Sequence, residues 1–123
     1  MTSQKFSIKK RVKSFKYAFD GLKILFKEEH NARIHLVAAF VVIAASIYYK
    51  ISTLELSLIV FAIIGVFALE IINTAIENIT DFISPEKNGK IKIIKDLAAA
   101  AVLVSAIGAV VVAGLIFIPK ILN

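Results

Sequence analysis

Glu70, Asn73, Glu77 and Asp81 are the residues of this chain whose types and spacing could do chemistry. At about 100° per residue, positions 70, 77 and 81 fall within roughly 20° of one line along a helix, with Asn73 and Thr74 flanking it. The line begins inside a long apolar run, residues 56–69, and continues into polar sequence. Placing a carboxylate at that depth costs at least about 2.5–3.5 kcal/mol on the lenient membrane-insertion scales. A chain that accepts this cost and adds two further acids on the same face is expected to use them.

Hard oxygen donors such as Glu29 and Glu77 suit Mg²⁺, which binds through one or two carboxylates together with substrate phosphates. Lys95 and neighbouring cations could neutralise phosphate charge. Glu70 is the deepest acid, and a carboxylate in apolar surroundings holds a proton more tightly, as a general base for a weakly acidic hydroxyl should. A base within the membrane, a metal site at its rim and cations beyond describe phosphoryl transfer from a soluble nucleotide to a lipid alcohol. Two other readings stand beside it. Glu70 could serve a small oligomeric proton- or ion-coupled membrane protein as its relay, or the chain could be a scaffold without catalysis. Asp96 and Lys95 at a helix start also fit a cap and a solvated charge, and His35 in an apolar stretch reads as a packing residue. His30 and His35 lack zinc-protease spacing, and the five glycines form neither kind of phosphate loop.

The elements that must position these groups follow from composition. The 123 residues are 59% apolar, with mean hydropathy +0.83. The apolar residues fall in three runs, so the expected fold is all-α: a single polytopic membrane domain over 1–123. Residues 5–27 predict a surface helix in which Phe6, Ile8, Val12, Phe15, Phe19, Leu22 and Phe26 alternate with lysines at helical spacing. The first 32 residues lack the compact apolar core and cleavage site of a secretory signal. Transmembrane helices are expected over 31–49, 54–80 and 93–118, with a tight turn at 50–53, a polar loop containing Asn88-Gly89, and Pro119 ending the third. Cysteine is absent, which excludes disulfide, thiolate–zinc and thiol chemistry.

Nine of the fifteen Lys and Arg lie at or before Arg33, four lie at 87–95, and only Lys50 and Lys120 fall elsewhere. This asymmetry predicts a cytoplasmic N-terminus and an outside C-terminus, and assigns the net charge of +6 to a membrane surface instead of nucleic acid. It also gathers Glu29, Glu70, Asn73, Glu77 and Lys95 at one membrane face. Ala101, Ser105, Ala109 and Ala113 recur at every fourth position, a small-residue face suited to close helix approach within or between chains. Three spans give a polar site few walls, which favours a homo-oligomer.

The run Glu70-Ile71-Ile72-Asn73-Thr74-Ala75-Ile76-Glu77, with Asp81 four residues on, resembles the signature of the bacterial integral-membrane diacylglycerol kinases, which include the undecaprenol kinases. Arg11 with Ser14-Phe15 and Gly21, the run from Glu29 to His35, and Lys95-Asp96 before an alanine run are similar to the same family in the same order. The resemblance implies MgATP-dependent phosphorylation of a lipid hydroxyl by a homotrimer of the bacterial plasma membrane, with sites shared between subunits. It implies Glu70 as catalytic base and substrate contact beside Asn73, and Glu29 and Glu77 as Mg²⁺–ATP carboxylates. Further nucleotide contacts fall at Lys10 or Arg11, Tyr17, Glu86, Lys87, Asn88, Lys95 and Asp96. The residues 29–35 resemble the undecaprenol-kinase branch, which points to undecaprenol over diacylglycerol as acceptor.

Overall fold

The structure, a computed structural model, describes residues 5–86 and 88–123. It is all-helical: α1 (Ile8–Glu28), α2 (His30–Tyr48), α3 (Thr53–Ile83) and α4 (Gly89–Leu122). The last three are long and apolar enough to cross a membrane. At about 1.5 Å per residue, α3 and α4 run to roughly 46 and 51 Å, well beyond a hydrocarbon core of about 30 Å. Their polar ends therefore extend past the apolar layer. Large side chains such as Phe40, Phe61, Val110 and Leu115 stand 68%, 80%, 71% and 74% exposed on the single chain, a surface suited to lipid or to other helices rather than to water.

Three local features differ from expectation. Asn88 and Gly89 do not form a loop turn: the Asn88 carboxamide oxygen accepts from the Lys90 amide at 2.8 Å and caps α4, so the helix starts at Gly89. A side-chain acceptor at this position satisfies an otherwise orphan amide, and the cap outcompetes the turn. Pro119 does not end α4, which continues to Leu122. A proline so near the end removes one helical hydrogen bond, and Lys120 in the turn beyond it is tied to Glu55 of α3 at 3.4 Å. The turn at 50–53 is shorter than expected, because Thr53 is already helical behind a capping box in which Ser52 and Glu55 bond reciprocally.

Apolar and polar packing separate to opposite ends of the helix pair α3–α4. Ile59, Ile116 and Phe117 form the core at the Glu55–Lys120 end, joined by Val42, Ile43 and Tyr49 of α2. Tyr49 tilts against Phe117 with ring centroids 6.1 Å apart. At the other end the buried groups of α3 are Glu70, Asn73, Thr74 and Thr80.

A single residue, Glu29, separates α1 from α2, with extended backbone at φ −107° and ψ 113°. Arg33, one turn into α2, reaches back over the junction. Its Nε donates to the Phe26 carbonyl at 2.7 Å and its Nη2 donates to the Lys27 carbonyl. One guanidinium thereby satisfies two end-of-helix acceptors and places a cation at the negative pole of α1. Phe26 also packs edge-on against Phe67 of α3, centroids 5.9 Å apart. Arg33→Met should lower stability in detergent by about 1 kcal/mol, the net worth of a typical hydrogen bond. Limited proteolysis should then cut faster at the 28–30 junction. Arg33→Lys should not restore protection, since one ammonium lacks the planar fork that meets both carbonyls.

Candidate functional site

The site is built on one face of α3. Glu70 is 1% exposed, and neither of its carboxylate oxygens has a hydrogen-bonding partner among the described residues. The titratable groups that act on it are His35 of α2 and Glu77 two turns further along α3. His35 Nε2 lies 3.8 Å from Glu70 Oε2, and the imidazole packs edge-on against Phe67 at 6.5 Å between centroids. Asn73 is 7% exposed; its Nδ2 donates to Glu77 Oε1 at 3.4 Å while its Oδ1 has no partner among the described residues. The Thr74 hydroxyl is likewise buried without one.

Glu77 is half-buried, and its charged neighbours are Glu29, Lys95 and Asp81. Three elements thus converge on it: the α1–α2 junction supplies Glu29, α3 supplies Asp81, and α4 supplies Lys95. Lys95 is ion-paired with Asp81. Asp96 pairs with Lys92 at 2.6 Å, and both line the same cleft as Lys95 and Asp81. Beyond this pair, Glu86, Asn88, Lys92, Lys95 and Asp81 line a cleft of about 420 Å³ at the α3–α4 connection. The Asn88 side chain is engaged in capping α4 there, and Lys87 lies outside the described residues.

Glu29, at the α1–α2 junction, lies near enough to Glu77 of α3 for its charge to act on it, and like charges so placed favour a cation between them. Two hard carboxylates with further positions open fit Mg²⁺ bound jointly with phosphates, which does not demand an all-protein cage. Among the described residues no three His, Asp or Glu side chains are placed to hold a metal ion together.

The α1 residues stand apart from the Glu29 junction along the helix. Arg11 and Lys10 lie in the first turn of α1, about 27 Å along the helix from Glu29, and Tyr17 about 18 Å. All three are exposed. The packing expected of His35 is present against Phe67, while its approach to Glu70 is not specified by that reading. A histidine entering an apolar helix in a chain that also buries a lone glutamate was the available signal.

A buried carboxylate on one of three helices long and apolar enough to cross a membrane, with further acids and a lysine gathered along its polar end, describes an integral-membrane protein with a candidate polar site. Comparison gives the class its family. Residues 16–117 match the prokaryotic diacylglycerol kinase family, and the chain belongs to it. It is 37% identical over 109 residues to an undecaprenol kinase of Bacillus subtilis, covering 89% of each chain. It is 34% identical over 111 residues to a diacylglycerol kinase of Synechocystis, covering 89% of this chain but 63% of that one. A diacylglycerol kinase of Escherichia coli is 28% identical over 100 residues, covering 81% of this chain and 82% of its own length. The family is one of lipid kinases, and the three apolar helices fit a multi-pass bacterial membrane protein.

The Thr74 hydroxyl gives a test of the site's internal balance. A buried hydroxyl without a partner costs about 1–3 kcal/mol, and valine has nearly the same shape. Thr74→Val should therefore raise the thermal midpoint in detergent by a few degrees. A fall would mean that the hydroxyl has a partner in the assembled protein.

Proposed function

We propose that this chain transfers the γ-phosphoryl group of MgATP to the hydroxyl of a membrane lipid alcohol, with Glu70 as general base. The observation that carries the reading is the single face of α3 running from buried Glu70 through Asn73 to Glu77, where Glu29 and Lys95 meet it. Seven residues of helix separate Glu70 from Glu77 by about 10 Å of rise, which leaves space for a phosphoryl group between a lipid hydroxyl at one end and a metal-bound nucleotide at the other.

In this mechanism the lipid enters from the bilayer and presents its hydroxyl to Glu70. The hydroxyl proton passes to Glu70 as the oxygen bonds to the γ-phosphorus and the bond to the ADP leaving oxygen breaks. Mg²⁺ held by Glu29 and Glu77 would neutralise charge on the nucleotide's phosphates. Asn73 holds Glu77 through its amide donor. Lys95 exchanges Asp81 for phosphate oxygens, a small loss because a partly exposed pair is worth about 0–1 kcal/mol.

Lys10 and Arg11 lie about 27 Å or more along α1 from Glu29, a separation that favours a homotrimer in which α1 of one subunit serves its neighbour. The apolar residues of α1 are exposed alongside its lysines, as a helix lying in the headgroup layer would be. The clustering of basic residues at 5–33 and 87–95 supports a cytoplasmic site and N-terminus. The 29–35 run favours undecaprenol as the acceptor.

Purified protein in micelles should transfer label from γ-labelled ATP to undecaprenol or diacylglycerol, assayed side by side, and only with Mg²⁺. Glu70→Gln should lower kcat by about 10²-fold or more, within the usual contribution of a general base, while MgATP still binds. Glu77→Gln should instead raise KM for MgATP. Full activity of Glu70→Gln would remove the assigned base, and proton flux in liposomes without ATP would favour a relay.

A further inference from the structure

We infer that His35 is a positioning residue for Glu70: its Nε2 holds one carboxylate oxygen so that the other faces the acceptor hydroxyl. This rests on the proposed role of Glu70 as base. A carboxylate that takes a proton from a weakly acidic hydroxyl must present a fixed lone pair to it, and Glu70 has no hydrogen bond among the described residues to fix it. His35 Nε2 is 3.8 Å from Oε2 and is the one group among the described residues within ion-pair distance of it. Rotation of the two side chains by about 1 Å closes that gap to the roughly 2.8 Å of a charge-assisted hydrogen bond.

The surroundings of the imidazole direct it to this acceptor. One side of His35 rests on the edge of Phe67, which is itself held edge-on by Phe26. Another side lines an apolar cleft of about 190 Å³ with Ala38, Ala39 and Val42, where no carboxylate competes. His35 also comes from α2, whose first turn is tied to α1 through Arg33. Its reach to Glu70 therefore couples the base to the helix junction that carries Glu29.

The proton balance is unchanged by His35. Nε2 donates to Oε2 throughout, either as the neutral Nε2–H tautomer or as imidazolium. The acceptor's O–H bond breaks, its proton goes to Oε1 of Glu70, its oxygen bonds to the γ-phosphorus, and ADP departs with the electrons of the broken P–O bond.

His35→Phe keeps an aromatic ring for Phe67 and removes the donor, whereas His35→Gln keeps a nitrogen donor at similar reach. The Phe variant should lose about 10-fold or more in kcat, a fraction of the full contribution of a base, with KM for MgATP unchanged. The Gln variant should return to within about threefold of the parent kcat. In a Glu70→Gln background the Phe substitution should cost nothing further, since the two residues act as one unit. MgATP binding measured on each variant checks folding, and His35→Met is the fallback if the Phe variant does not fold.

Full kcat in the Phe variant would make His35 a packing residue and overturn the inference. A raised KM for the lipid at unchanged kcat would make it a substrate contact, with the same result. Equal loss in the Phe and Gln variants, or additive losses with Glu70→Gln, would also overturn it. A parent chain that phosphorylates no lipid alcohol ends both the functional reading and this inference. An inactive Glu70→Gln beside an unimpaired His35→Phe ends this inference alone.

Discussion

The carboxylate of Glu70, enclosed among apolar helices without a hydrogen bond among the described residues, is the constraint on which the rest of the structure turns. Its insertion cost of at least about 2.5–3.5 kcal/mol is a large share of the 5–15 kcal/mol by which a typical protein is stable. The chain meets that cost by segregation. Ile59, Ile116 and Phe117 pack without polar interruption at one end of the α3–α4 pair, while the buried polar groups of α3 collect toward the other. The destabilising groups are thus confined to one end, and the apolar end offsets them.

Around Glu77 the same logic works through geometry. Glu29 sits there because the α1–α2 connection is one residue long and Arg33 closes it over two carbonyls of α1. A longer or looser junction would let the acid swing toward water, where like-charge repulsion from Glu77 would send it. Arg33 thus acts on the site through the backbone, without being part of it.

Much of this was legible in the chain and some was not, for identifiable reasons. The line through Glu70, Asn73, Glu77 and Asp81 follows from helical periodicity within one element, and the three spanning helices from runs of apolar residues. The approach of His35 to Glu70 depends on how α2 and α3 are rotated against each other, which neither helix's own pattern specifies. Arg33 was visible only as a charge at the right level, because its partners are main-chain oxygens with no sequence signature. At Asn88 two local preferences competed, turn against cap, and the adjoining long helix decided for the cap. Pro119 misled because its cost is one hydrogen bond so close to a helix end that the neighbouring Lys120–Glu55 contact outweighs the usual stop signal.

The antiparallel pair α3–α4 is stapled at its two extremities by ion pairs of different character. Glu55 at the far staple also belongs to a capping box, so Lys120 is anchored to a fixed group. At the near staple, Asp81 is largely solvated and Lys95 is its only ion-pair partner among the described residues. An anion that draws Lys95 from Asp81 would exchange one ion pair for another while the Glu55–Lys120 tie stays made, so the fastening that a bound anion can replace lies at the acid-bearing extremity alone.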